Sequence, residues 1–207
     1  MKIALFCVLF TCLLIPAMAQ DPVIAEDPAA ATTLPAGTPA AADGSVFDLT
    51  SEWFDQDGEK MVLSDLGDKV RVVVMGYTSC QNACPRLIAD LIAIENGLKE
   101  SGDSEPIGYA FISIDPVNDT PGRLKQLEMQ YKFTPGHWKI LTGTEDGVLE
   151  LAVALGMKYR QSSAMDFAHS NIITVLRRDG SIAHQQVGLG VDKTETFAAI
   201  HDVAKAP

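Results

Sequence analysis

Cys80 and Cys84 are the residues whose type and spacing most directly imply chemistry in this chain. A disulfide between them would close a very short loop. Stabilisation by loop closure grows with loop length, so such a bridge would add little to the fold. The chain beyond residue 45 is long enough to bury an ordinary core without covalent staples. Cys80 sits in a predicted loop, and Cys84 directly precedes Pro85, which opens a predicted helix. Unpaired amides and the dipole at a helix N-terminus favour an anion, and so a thiolate. Thiolate both attacks disulfides and binds soft metals. The pair therefore points to redox or metal chemistry, and the local pattern alone does not choose between them.

The setting of these cysteines follows from the N-terminus. Met1-Lys2 gives a short basic start, and Ile3 to Ile15 is apolar but for Thr11. Pro16 and Ala17-Met18-Ala19 supply a break and a small-x-small cleavage site. Residues 1–19 read as a signal peptide, with Gln20 as the mature start. The alternative is an uncleaved inner-membrane anchor facing the periplasm. The apolar stretch is near the lower edge of spanning length, about 17 residues. Cys12 lies inside that stretch rather than after it, which speaks against lipid attachment. Export places the protein in an oxidising compartment, most simply the periplasm. Cys7 and Cys12 leave with the leader, so the mature chain keeps only Cys80 and Cys84. Loss of Lys2 takes the net charge from −11 to −12, a surface that repels phosphate backbones and argues against nucleic acid.

Residues 20–44 are dominated by Ala, Pro and Thr, without aromatic residues. Such a stretch buries too little apolar surface to offset ordering entropy and reads as a disordered spacer. Residues 45–207 then form one domain. Strand and helix patterns alternate along it. Asp57-Gly58 predicts a turn in an early β-hairpin leading into Glu59 to Leu63. Val70 to Met75 is a β-branched run fit for a central strand. A helix runs from Pro85 to Lys99 with Leu87, Leu91, Ile94 and Leu98 on one side. Ile107 to Ile114 is the next strand, and Thr120-Pro121 cap and open a helix carrying Leu124, Leu127 and Tyr131 inward. Trp138 to Leu141 is a short strand and Glu145 to Leu155 a helix ending at Gly156. Asn171 to Leu176 and Ser181 to Val187 are strands about the Asp179-Gly180 turn, and Lys193 to Ala204 a closing helix. This order predicts an α/β, thioredoxin-like domain: a central mixed sheet flanked by helices, with an inserted helix. Ligands in such sheets collect at strand ends, and Tyr77 to Cys84 follows the carboxyl end of the central strand.

A metal would need a third ligand. His137 follows a Pro-Gly loop, His184 lies within a hairpin strand and His201 on the last helix, all suited to solvent or packing. His169 stands immediately before a late strand, where the active edge of the sheet is expected. Thioredoxin-fold oxidoreductases place a cis-proline in about that position, yet between Gly136 and Ala206 this chain has none. Taken alone, an isolated histidine is more often structural than a ligand; were His169 to join the two cysteines, the set would suit copper, since soft thiolates favour Cu(I) and imidazole accepts Cu(II). A structural zinc site would want a fourth protein ligand, and none is evident.

Four ordered segments then resemble the Sco/SenC family of copper chaperones for respiratory oxidases. They are GYTSCQNACP (Gly76 to Pro85), FISIDPVNDTPGRL (Phe111 to Leu124), KILTG (Lys139 to Gly143) and AHSNIITVLRRDG (Ala168 to Gly180). The resemblance covers nearly the whole folded domain. It implies a thioredoxin-like fold, metal ligation by Cys80, Cys84 and His169, and a redox-active Cys80–Cys84 pair whose oxidised form blocks loading. It further implies a monomeric metallochaperone holding one Cu(I) or Cu(II), a respiratory copper enzyme such as cytochrome c oxidase as client, and a periplasmic thiol reductant as partner. The alternative is a periplasmic thiol-disulfide reductase that keeps the cysteines of a copper-site client reduced. Three departures bear on these expectations. The family commonly has an acidic residue directly before the histidine, where this chain has Ala168, with Asp166 two positions earlier. It often has Pro-Asp after the first cysteine, where this chain has Gln81-Asn82. Many members are membrane-anchored, whereas this leader reads as cleaved.

Overall fold

The computed structural model describes residues 44–101, 106–163 and 166–205. The leader and nearly all of the spacer lie outside the described residues. Two central strands organise the rest. β3 (Val70–Gly76) and β4 (Ile107–Ser113) are buried along their whole length. Near-continuous apolar runs are what a strand covered on both faces requires. β3 pairs in parallel with β4 and antiparallel with β8 (Ile172–Leu176). The main sheet extends from there in both directions. β5 (Trp138–Gly143) lies parallel to β4, and β1 (Trp53–Asp55) runs antiparallel to β5 with β2 (Lys60–Met61) beside it. On the other side β9 (Ile182–Val187) pairs antiparallel with β8, giving seven strands in the order β2-β1-β5-β4-β3-β8-β9.

Alternation along the central strands divides the core between two faces. Val70, Val72, Val74, Tyr109 and Phe111 meet the apolar sides of α1 (Ala83–Ser101), α2 (Pro121–Tyr131) and α4 (Thr194–Ala204). Val73, Met75, Ala110 and Ile112 meet α3 (Glu145–Ala154), Trp53 and the short 3-10 turn Leu63–Leu66. The β3–α1–β4 and β4–α2–β5 connections lie on the same face, as right-handed crossovers between parallel strands demand. The early hairpin forms as expected, with Gly58 supplying the positive φ of its turn, +82°. This is the mixed, helix-flanked sheet that the sequence predicts.

Three local features differ from the expectation. α1 starts at Ala83, so Cys84 and Pro85 lie inside its first turn, where a proline costs no intrahelical hydrogen bond. Thr120 holds the cap position of α2, but its side chain makes no capping bond. A second, two-stranded sheet, β6 (Tyr159–Ser163) with β7 (Asp166–His169), stands apart from the main one and has no counterpart in the sequence reading. Among the described residues no helix is long and apolar enough to cross a membrane.

Candidate metal centre

The site lies at the carboxyl end of β3. After Gly76 the chain leaves the sheet through Tyr77, Thr78 and Ser79, reaches Cys80, and enters α1 at Ala83. Gly76 is required by proximity: a Cβ there would stand 2.9 Å from the Cys84 sulfur and 3.0 Å from the Phe111 ring. The loop is pinned from below by Asp119, which is fully buried. Its carboxylate accepts from the Thr78 backbone N–H (3.0 Å), the Thr78 hydroxyl (2.5 Å) and the Ser113 hydroxyl (2.6 Å). Burial raises the Asp119 carboxyl above its usual range against the pull of these donors, and neighbouring Asp115 adds to the rise.

Cys80, Cys84 and His169 converge, with one donor atom from each lying within 4.8 Å of the others. Cys84 Sγ is 3.6 Å from His169 Nε2, and the Cys84 backbone N–H donates to Cys80 Sγ at 3.3 Å. A metal bound at about 2.0–2.3 Å holds trigonal donors about 4 Å apart, so the three can close on one ion with small side-chain movements. His169 Nδ1 lies 3.0 Å from the Ser170 carbonyl oxygen. A carbonyl only accepts, so Nδ1 carries the proton and Nε2 is left as the ligand atom. The other described histidines stay away from this group. His184 bonds the Thr196 hydroxyl at 3.2 Å, His137 lies 3.6 Å from Glu95, and His201 is on α4.

The two sulfurs are unequal. Cys80 is half-buried and Cys84 is buried. Burial opposes ionisation of Cys80, but the backbone N–H groups of Cys84 and Asn82 outweigh it, aided by the Cys84 side chain and the Tyr77 hydroxyl. The net effect holds this thiol below its usual range. Burial pushes the Cys84 thiol well above the usual range, and the adjacent Cys80 and Asp119 charges raise it further. The helix terminus therefore favours an anion at Cys80, not at Cys84 as its sequence position implied. A cleft of about 210 Å³ opens beside Cys80 and Pro85, walled by Leu127 and Tyr131 of α2.

This asymmetry predicts a selective reaction. Iodoacetamide should modify Cys80 first in reduced, metal-free protein. The rate should rise with pH as the thiolate forms, with a midpoint below the ordinary thiol value of 9.0. Cys84 should react only after unfolding. Peptide mass spectrometry across a pH series reads both; equal labelling of the two cysteines in folded protein would contradict this account.

Two functional features were not legible beforehand. Asp119 lies within the FISIDPVNDTPGRL segment, but nothing local marks it as the anchor of the cysteine loop. Asp166, two positions before the place where the family commonly carries an acid, does not bond the imidazole. It instead accepts a hydrogen bond from the Tyr77 hydroxyl, while the imidazole is oriented by Ser170.

Fold and site together define a thioredoxin-like protein with a Cys-Cys-His group able to hold a metal ion. The chain belongs to the SCO1/SenC family, whose model matches residues 37–205. A SCO1 protein homolog of Bacillus subtilis is 31% identical over 97 residues, which is 46% of this chain and about half, 49%, of that protein's length. Among solved structures, Arabidopsis thaliana ScoI with copper bound matches at a TM-score of 0.61 and 22% identity, covering 75% of this chain and 94% of that one. BsSco, described as having a disulfide switch and as a member of the Sco family of cytochrome c oxidase assembly proteins, matches at 0.66 and 20% identity, covering 75% and 92%.

Proposed function

We propose that this protein is an exported copper metallochaperone. Cys80 and Cys84 take one copper ion as thiolates, His169 joins them as a neutral imidazole, and the ion passes to a respiratory copper enzyme such as cytochrome c oxidase. The observation that carries this reading is the convergence of two sulfurs and one imidazole within 4.8 Å on a chain of this family. Copper fits the donor chemistry: the thiolates favour Cu(I), the imidazole accommodates Cu(II), and the group offers no fourth protein ligand for a structural zinc. On this reading the protein acts as a monomer in the periplasm after loss of residues 1–19. An oxidised Cys80–Cys84 pair blocks loading, and a periplasmic thiol reductant reopens it.

Anaerobic titration of the reduced mature domain with Cu(I), against a chromophoric chelator, tests the proposal. One tightly held equivalent is expected. Failure to compete for any copper would overturn it.

One observation favours a second reading, a thiol-disulfide reductase for the cysteines of a copper-site client. Cys80 is accessible and favoured as thiolate, with Cys84 buried behind it, as an attacking and a resolving thiol would be. Turnover of a disulfide substrate without copper retention would support it.

A further inference from the structure

We infer that Tyr77 and Asp166 form a positioning pair that holds His169 against the cysteines, a role that rests on the copper-site reading above. The site is divided between two sheets. Cys80 and Cys84 follow β3 of the seven-stranded sheet, whereas His169 ends β7 of the separate hairpin. Bonds within the hairpin fix its own register, Tyr159 opposite His169 and Arg160 opposite Ala168. They do not fix where it sits over the cysteine loop. Six of its nine side chains are exposed, Tyr159 and Phe167 alone pack against the core, and the chain rejoins the main sheet at β8 three residues beyond His169, so the seat of the imidazole rests on few contacts.

Tyr77 spans the division. It stands at the root of the cysteine loop and is buried. Its hydroxyl donates to the Asp166 carboxylate and accepts the Phe167 backbone N–H at 3.2 Å. Its ring lies 5.1 Å from that of Phe167 and meets the His169 imidazole edge-on at 5.9 Å and 81°. One side chain thus contacts three of the four residues of β7, the histidine included. The carboxylate that this chain lacks at position 168 is supplied from position 166 and acts through the tyrosine.

Loss of an outer hydrogen-bond partner typically weakens metal binding by ~10–100-fold. Tyr77→Phe keeps the ring and removes the hydroxyl's bonds to Asp166, Phe167 and the Cys80 sulfur, so Cu(II) affinity should fall by about tenfold or more, with an altered ligand-field spectrum; Asp166→Ala, which leaves the hydroxyl on Cys80, separates the two contributions. Cu(I), which two thiolates can hold, should lose less. Asp166→Ala should reproduce the effect, and the double variant should lose no more than either single one. Asp166→Asn retains an acceptor for the hydroxyl and should restore most of the wild-type behaviour. A second readout needs no copper: the His169 imidazole resonances of the metal-free protein should shift or broaden in Tyr77→Phe. Wild-type Cu(II) affinity and spectrum in Tyr77→Phe, even with a lowered Tm, would overturn the inference, as would fully additive losses in the double variant. If the wild-type protein holds no copper, the metallochaperone reading fails on its own. The imidazole resonances then decide, and unchanged signals in Tyr77→Phe would remove the pair.

Discussion

Cys80→Ser or Cys84→Ser alone should abolish tight Cu(I) binding while the domain still folds. Beyond residue 19 the chain contains one pair of cysteines, and both sulfurs belong to the same group, so no second thiolate can replace the missing one. A serine hydroxyl stays protonated and is a hard donor. The loss should exceed the roughly 100-fold that even an outer-shell partner costs. The variants should differ in stability. Cys80 is half-buried, so its replacement should leave Tm nearly unchanged. Cys84 is buried beside Gly76, and a smaller, more polar hydroxyl there, with only the His169 imidazole in reach, should lower Tm more than the exchange at Cys80 does. Chelator competition together with thermal melts checks both statements. Wild-type affinity in either variant would place the site elsewhere.

His169→Ala produces the second large effect, and a different one. Cu(II) binding should fall steeply, with loss of the ligand-field and paramagnetic-resonance signature of an imidazole nitrogen, because that ion depends on the ligand that thiolates do not replace. Cu(I) binding should weaken only in part. Folding should be little affected, since His169 lies on the separate hairpin and outside both core clusters. His184→Ala is the control. Its imidazole bonds Thr196 and lies outside the cysteine group, so it should change neither oxidation state's binding. An unchanged Cu(II) spectrum in His169→Ala would leave the copper assignment resting on the cysteines alone.

What the sequence made legible, and what it hid, divides along physical lines. Val70 to Met75 and Ile107 to Ile114 announced themselves because strands buried on both faces are apolar nearly throughout, Arg71 and Ser113 being the buried polar exceptions. The helix bearing Leu87, Leu91, Ile94 and Leu98 did so through its spacing, and all four are buried. The three ligand candidates were named from residue type, position and family resemblance, and the structure brings them together. The β6–β7 hairpin was not legible because Arg160 to Ser163 are polar and exposed and show no apolar alternation. The Tyr77–Asp166 bond joins residues 89 apart, beyond the reach of any local pattern. The protonation of Cys84 was misjudged for a similar reason. Its position at the helix start is written in the sequence, but its burial is the work of distant residues, and burial is the larger effect.

The unequal exposure of the two sulfurs also governs traffic at the site. With Cys84 covered, a visiting protein reaches the pair through Cys80 and the cleft beside it. On the proposed metallochaperone reading, a copper donor, a copper acceptor and a thiol reductant would compete for that approach, and no two of them would be engaged at once. Occupancy by any one would protect the site from the others: a loaded chain would be closed to disulfide exchange, and a chain in a mixed disulfide closed to metal. Reduction, loading and release would then be separate encounters in time, ordered by which visitor binds the accessible sulfur most tightly at each stage.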